Sequence, residues 1–166
     1  MKIYRICGYG SGRSELVVKL VEEFAFRRID TAVIKHAHKP FDMDKSGSDT
    51  ANLRASGCPQ TLIAHRDRWG LLCETPHGGE PDPIALARHL APCDLVLAVG
   101  FDDAPLPGLE VRRSDDGSEP LYRRDTRLHA VVMDGASGTE VPFCFARDQI
   151  EAIATHIFDH AEASTC

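Results

Sequence analysis

A chain of 166 residues, 43% hydrophobic and 27% charged, is sized for one domain with one sizeable core, so residues 1–166 are expected to form a single domain. Its net charge of −6 disfavours nucleic acid and anionic membrane as general partners. No apolar run approaches the ~20 residues of a bilayer span, and Arg5 and Gly8 interrupt the start before a secretion signal can form, so the cytoplasm is the expected compartment.

Lys2 to Cys7 is a short strand that runs into the glycine-rich turn Gly8-Tyr9-Gly10-Ser11-Gly12. A helix follows, because Leu16, Val17, Leu20, Val21 and Phe24 recur at helical spacing. Thr31 to Lys35 is a second strand, and the resulting βαβ opening implies a parallel sheet. Residues 36 to 47 are a polar loop, and a short helix from about Ser48 to Ser56 stops at Gly57, suited to a left-handed cap. Gln60 to His65 and Trp69 to Glu74 form a hairpin around the turn Arg66-Asp67-Arg68. A proline- and glycine-rich loop, 76 to 83, precedes a short helix from Ile84 to Leu90. Asp94 to Val99 is a near-continuous apolar run, the pattern of a strand buried on both faces. Leu109 to Arg112 is a short strand in a charged region, His129 to Met133 is another apolar strand, and Ile150, Ile153, Ala154, Ile157 and Phe158 mark a final amphipathic helix. The expected fold is α/β, a mostly parallel sheet flanked by helices with a β-hairpin extension. The six cysteines show no C-x-x-C pair or zinc spacing and read as reduced, mostly apolar positions.

The turn after the first strand carries the chemistry. Backbone N–H groups that converge between a strand and a helix suit phosphate, and the helix start adds partial positive charge. The full phosphate-loop pattern is G-x-x-x-x-G-K-[ST]. Here Gly8, Tyr9, Gly10, Ser11, Gly12, Arg13 and Ser14 place three residues between the outer glycines and Arg13 where lysine stands, and Ser14 keeps the hydroxyl that touches Mg²⁺. These residues are the candidate phosphate or nucleotide site; the alternative is a turn that merely connects strand to helix. Asp102, beyond the end of the buried strand, is the second candidate Mg²⁺ contact with Ser14, since ligands line the carboxyl ends of parallel strands. Lys35, His36, His38, Asp42, Asp44 and Asp49 read as a ligand-facing or dimer-forming polar surface; the interleaved lysines argue against a bound cation. Arg112, Arg113, Arg123, Arg124 and Arg127, with their interspersed acids, read as mixed-charge surface. Asp134, just after the strand that ends at Met133, stands where it could contact a base, although no N-K-x-D guanine-reading motif is present.

Several segments in order resemble the molybdopterin-guanine dinucleotide biosynthesis protein B (MobB) family. They are Ile-Cys-Gly-Tyr-Gly-Ser-Gly-Arg-Ser at 6 to 14, Ala-Val-Ile-Lys-His-Ala-His at 32 to 38, Phe-Asp-Met-Asp-Lys-Ser-Gly-Ser-Asp at 41 to 49, Arg-Ala-Ser-Gly at 54 to 57, Asp-Leu-Val-Leu-Ala-Val-Gly-Phe at 94 to 101, and Pro-Leu-Pro-Gly-Leu-Glu-Val at 105 to 111. The resemblance implies a P-loop NTPase-like fold, a homodimer, GTP and Mg²⁺ as cofactors, and at most weak GTPase activity. It implies an adapter role beside the molybdenum cofactor guanylyltransferase or a molybdo- or tungsto-enzyme. The chain departs from the family in its shortened loop, in Arg13, and in Val99, which stands where the family carries a glutamate. All three departures bear on nucleotide use, so weakened binding is expected. A nucleotide-independent adapter is the alternative, and a small-molecule kinase is disfavoured because no acceptor-site base is evident.

Overall fold

A computed structural model of the chain describes residues 1–8, 12–76, 78–113, 117–134 and 143–163. Its contacts gather into two compact units within the span expected to be one domain: residues 1–36 with 82–166, and residues 37–81.

The first unit is a sheet with helices on both faces. Its strands are β1 (Lys2–Cys7), β2 (Thr31–Lys35), β5 (Leu95–Val99), β6 (Gly108–Val111), β7 (Leu128–Met133) and β8 (Phe143–Ala146), in the order β2-β5-β1-β6-β7-β8, with every neighbouring pair parallel. A two-residue strand, β9 (Glu162–Ala163), pairs antiparallel with Lys2 and Ile3, the stretch of β1 that precedes its pairing with β6. All five residues of β5 are buried, as expected for a strand covered on both faces. Helices α1 (Arg13–Phe26) and α4 (Ile150–His160) cover one face, where Leu16, Leu20, Phe24, Ile153 and Ile157 pack on Tyr4, Ile6, Leu97, Leu109 and Val132. On the other face Ala87 of α3 (Pro83–Ala87) packs with Ile3, Val96, Ala98, Phe101 and Leu106. Alternation along β1 divides its residues between these two cores.

The second unit holds α2 (Asp49–Ala55) and the hairpin β3 (Gln60–His65) and β4 (Arg68–Cys73). Ser48 caps α2 by accepting a hydrogen bond from Ala51 N at 3.2 Å, and Gly57 follows the helix with φ 95°. Arg54 ties this unit together, reaching Asp42 and Asp44 at 2.9 Å and also Glu74.

The expected strands and helices are present with small shifts at their ends. Arg68 belongs to β4 rather than to the turn, because it pairs with His65 and leaves a two-residue connection. Asp94 lies just before β5, where its carboxylate accepts a hydrogen bond from Asp30 N at 2.9 Å. α3 ends at Ala87 rather than Leu90; Asp82 caps it and Pro83 opens it. β8, β9 and a 3-10 turn at Leu121–Arg123 were not foreseen.

Candidate functional site

Because the six main strands are parallel, their carboxyl ends share one edge of the sheet. β1 is central, and the turn it feeds opens α1, as expected for the Gly8–Ser14 segment. Tyr9, Gly10 and Ser11 lie outside the described residues; Gly8, Gly12, Arg13 and Ser14 are described. Gly8 has φ 117°, and a Cβ there would lie 2.2 Å from the Val111 carbonyl oxygen, so the chain leaves β1 closer to β6 than any side chain permits. Gly12 has φ 106° and precedes α1 without a side-chain cap. Among the described residues no side chain caps the first amides of α1, the arrangement that favours an anion.

Arg13 turns back onto its own loop. Its Nη1 donates to the Gly8 carbonyl at 2.8 Å and lies 3.8 Å from Asp102 Oδ1. Gly8 N approaches the same Asp102 oxygen at 3.4 Å. Asp102 thus stands at the loop, and Ser14, the other residue expected to meet Mg²⁺, lies exposed in the first turn of α1. Among the described residues no three His, Cys, Asp or Glu side chains form a metal site by themselves. One carboxylate and one hydroxyl are a donor set that would suit a magnesium ion carried by phosphate, which keeps most of its own waters.

A second layer holds Asp102 in place. Arg5, fully buried on β1, donates through Nη1 to the Asp102 carbonyl at 2.7 Å and through Nη2 to Asp125 Oδ2 at 2.6 Å. Burial alone would raise the Asp125 pKa, yet hydrogen bonds from Arg127 and Arg5 draw it down to about 2. Arg5 was missed in the sequence because an arginine in a short strand reads as surface; the signal available was a lone charge inside an apolar run. Glu110, also fully buried, receives Arg112 Nη1 at 2.9 Å and Tyr122 N at 3.1 Å. Arg112 is accordingly a buried structural group and not mixed-charge surface, whereas Arg127 lies beside Asp125 and Arg124 beside Asp103 near the surface.

Arg147, immediately after β8, also reaches this edge. Its Nη2 donates to the Arg112 carbonyl at 2.7 Å and its Nε lies 2.7 Å from Asp134 Oδ1. Asp134 therefore faces an arginine. A Cβ on Gly12 would come within 1.8 Å of Arg147 Nη1, so the guanidinium rests directly on the glycine that opens α1.

The remaining expected site residues divide between the two units. Lys35 ends β2 and His36 follows it, both in the first unit; His36 Nδ1 lies 3.1 Å from the Gly100 carbonyl oxygen, and its ring stacks on Phe101 with centroids 5.2 Å apart. His38, Asp42, Asp44 and Asp49 belong to the second unit. There Asp42 and Asp44 serve Arg54, Asp44 also accepts from Thr50 Oγ1 at 2.8 Å, and Asp49 opens α2. Val99 is 3% exposed and packs in the core beneath α1, so the position matched to the family's glutamate is apolar interior here.

Comparison with known proteins bears on the family and the fold. The family model for molybdopterin guanine dinucleotide synthesis protein B matches residues 3–134. The molybdopterin-guanine dinucleotide biosynthesis adapter protein of Escherichia coli K12 is 35% identical over 153 residues, covering 90% of this chain and 87% of that protein. Its Haemophilus influenzae counterpart is 35% identical over 128 residues, 76% of this chain and 71% of that protein. Among solved structures, a molybdopterin-guanine biosynthesis protein B superposes with a TM-score of 0.74 at 22% identity, covering 95% of this chain and 98% of that one. Bacillus subtilis MobB superposes with a TM-score of 0.72 at 16% identity, covering 98% and 99%. The structural matches establish a P-loop NTPase-like fold, and the sequence matches, extending over most of the chain, establish that it belongs to the MobB family.

Proposed function

We propose that this protein is an adapter in molybdopterin guanine dinucleotide biosynthesis that holds a phosphoryl group of GTP, with Mg²⁺, at the Gly8–Ser14 turn, and does so weakly. The observation that carries the reading is the junction itself: a left-handed glycine opens an uncapped helix at the carboxyl edge of a parallel sheet, with Arg13 beside it. The helix amides and the Ser14 hydroxyl would meet phosphate oxygens, and Asp102 would orient water or Mg²⁺ near them. Bound Mg²⁺ would spread the phosphate charge. The partner is a molybdenum cofactor guanylyltransferase or a molybdo- or tungsto-enzyme, and the working form is a cytoplasmic homodimer. Support comes from family membership and from the adapter names of the relatives at 35% identity.

Weak binding and negligible hydrolysis follow from three features: the loop is one residue short, Arg13 donates into that loop, and Val99 provides no acidic group near an attacking water. Loss of two charge-assisted contacts would weaken binding by roughly a hundredfold or more. Calorimetric titration of the full chain with GTP and ATP in the presence of Mg²⁺ tests this. Dissociation constants above about 10 μM and turnover near background are expected. Submicromolar GTP affinity with steady Mg²⁺-dependent turnover would overturn the weak-binding reading. A nucleotide-independent adapter is the second reading, favoured by the Arg13–Gly8 closure; it requires that neither nucleotide binds at all.

A further inference from the structure

We propose that Arg147, and not Arg13, supplies the cation that contacts a bound phosphoryl group at the Gly8–Ser14 turn. The inference rests on the phosphate-loop reading above and adds a residue from the far end of the sheet to it. Arg13 sits where a phosphate-loop lysine would, but its Nη1 donates to the Gly8 carbonyl and neighbours Asp102. Arg147 arrives from the carboxyl end of β8, three strands away from β1, and lies against Gly12 so closely that a Cβ there would stand 2.8 Å from its Cζ.

The two anchors on Arg147 leave one face of its guanidinium available. Nε pairs with Asp134 and Nη2 donates to the Arg112 carbonyl, so Nη1, the nitrogen against Gly12, is the one with no hydrogen-bond partner among the described residues; the Glu15 carboxylate, which lines the same cleft, attracts the guanidinium only through space. The side chain remains 24% exposed, enough to meet a ligand from solvent. Its location is otherwise unfavourable, because a helix start attracts anions and repels cations. Two guanidinium groups stand at the start of α1, where Asp134, Asp102 and, in the first turn of the helix, Glu15 offset them. An oxyanion between Arg147 and the first amides of α1 would satisfy both the free Nη1 and the uncapped helix.

The competing explanation is that Arg147 only braces β6 and β7 through Arg112 and Asp134. The two accounts separate on Asp134. Asp134→Asn breaks the same ion pair as Arg147→Ala but keeps the guanidinium. The full chain and the variants Arg147→Ala, Asp134→Asn and Arg13→Ala are titrated calorimetrically with GTP and with inorganic pyrophosphate, each with Mg²⁺, and their melting temperatures are recorded. Arg147→Ala is expected to weaken both ligands about tenfold to a hundredfold, the value of one charge-assisted contact. Asp134→Asn should bind within about threefold of wild type or more tightly, and Arg13→Ala should lose less than Arg147→Ala. Equal binding by Arg147→Ala, an equal loss in Asp134→Asn, a larger loss in Arg13→Ala, or a loss confined to GTP and absent with pyrophosphate would each overturn the proposal while leaving the phosphate-loop reading intact. If wild type takes up neither ligand, that reading and this proposal fall together.

Discussion

Gly8 and Gly12 bound the same turn with similarly positive φ, but their surroundings differ in kind. The atom facing Gly8 is a backbone oxygen of Val111, held in the sheet, whereas the atoms facing Gly12 belong to the movable end of Arg147. Gly8→Ala must therefore strain φ and push β6 aside, and a loss of about 2–4 kcal/mol is expected. Gly12→Ala strains φ but needs only a guanidinium to swing away, so about 1–2 kcal/mol should be lost. Urea unfolding of the two variants measures the contrast, and equal losses would show that the β1–β6 approach yields more easily than the contact implies. Charge placement follows the same logic of neighbours. Arg5 is tolerated at full burial because Asp125 and the Asp102 carbonyl accept its donors. Val99 has no such partners around it and remains apolar.

β7, β8 and α4 meet in a histidine and aromatic cluster at the amino-terminal edge of the sheet, away from the glycine turn. His129 of β7 stands 5.3 Å from His156 and 5.1 Å from His160, ring centroid to centroid, and His156 and His160 stack at 4.1 Å on consecutive turns of α4. Phe143 and Phe145 of β8 and Tyr4 of β1 complete the surroundings. His129 Nδ1 and His156 Nε2 are buried without a hydrogen-bond partner among the described residues. Burial, then repulsion from His160 and His129, lowers the His156 pKa to about 4, while the nearby Asp159 carboxylate opposes the shift; burial and His160 lower that of His129 as well. The unfolded chain thus binds protons that the folded one refuses. Stability from His156 is present above pH ~6.5 and is lost as pH falls toward 4, a contribution of about 2–3 kcal/mol. Asp125, with its pKa drawn down to about 2, adds a second loss only below pH ~4. Chemical denaturation between pH 7 and 4.5 should show the first loss, and His156→Phe should flatten most of it. An unchanged slope in that variant would place the acid sensitivity elsewhere.

The molecule as a whole combines a sheet that presents its chemistry on one edge with a separate unit of unusual surface. In the β3–β4 hairpin the cross-strand pairs Leu62↔Leu71 and Ala64↔Trp69 put four apolar side chains on one face. Leu62 and Trp69 are 58% and 62% exposed, and Leu71 is also exposed. A contiguous apolar face on a two-stranded ribbon is a recognition surface in need of a cover, and the homodimer proposed above would provide one. Light scattering at micromolar concentration is expected to report twice the chain mass, and Leu62→Glu with Trp69→Glu should convert it to monomer. A wild-type chain that scatters as a monomer at that concentration would contradict the homodimer. Among the described residues no helix is long and apolar enough to cross a membrane.

Much of this architecture is legible from residue order because it depends on local pattern. Five consecutive buried residues announced β5, the spacing of Leu16, Leu20 and Phe24 announced α1, and Ser48 with Gly57 bracketed α2. The glycine turn was legible for the same reason: its meaning comes from what lies immediately before and after it. β8 was not, since one exposed and three half-buried residues carry little periodicity and their strand exists only because β7 is there to pair with. Nor could residue order reveal that Arg13 folds onto Gly8, that Arg5 reaches Asp102 and Asp125, or that Arg147 comes to rest on Gly12. The Arg13 link is local but depends on how the turn closes, whereas Arg5 and Arg147 reach neighbours that the parallel crossovers bring beside them, from as far away as Gly12 is from Arg147. A buried charge takes whichever partner the fold supplies, because leaving it alone costs several kcal/mol. Local hydrophobic pattern thus decided the elements, and tertiary proximity decided which charges meet at the turn.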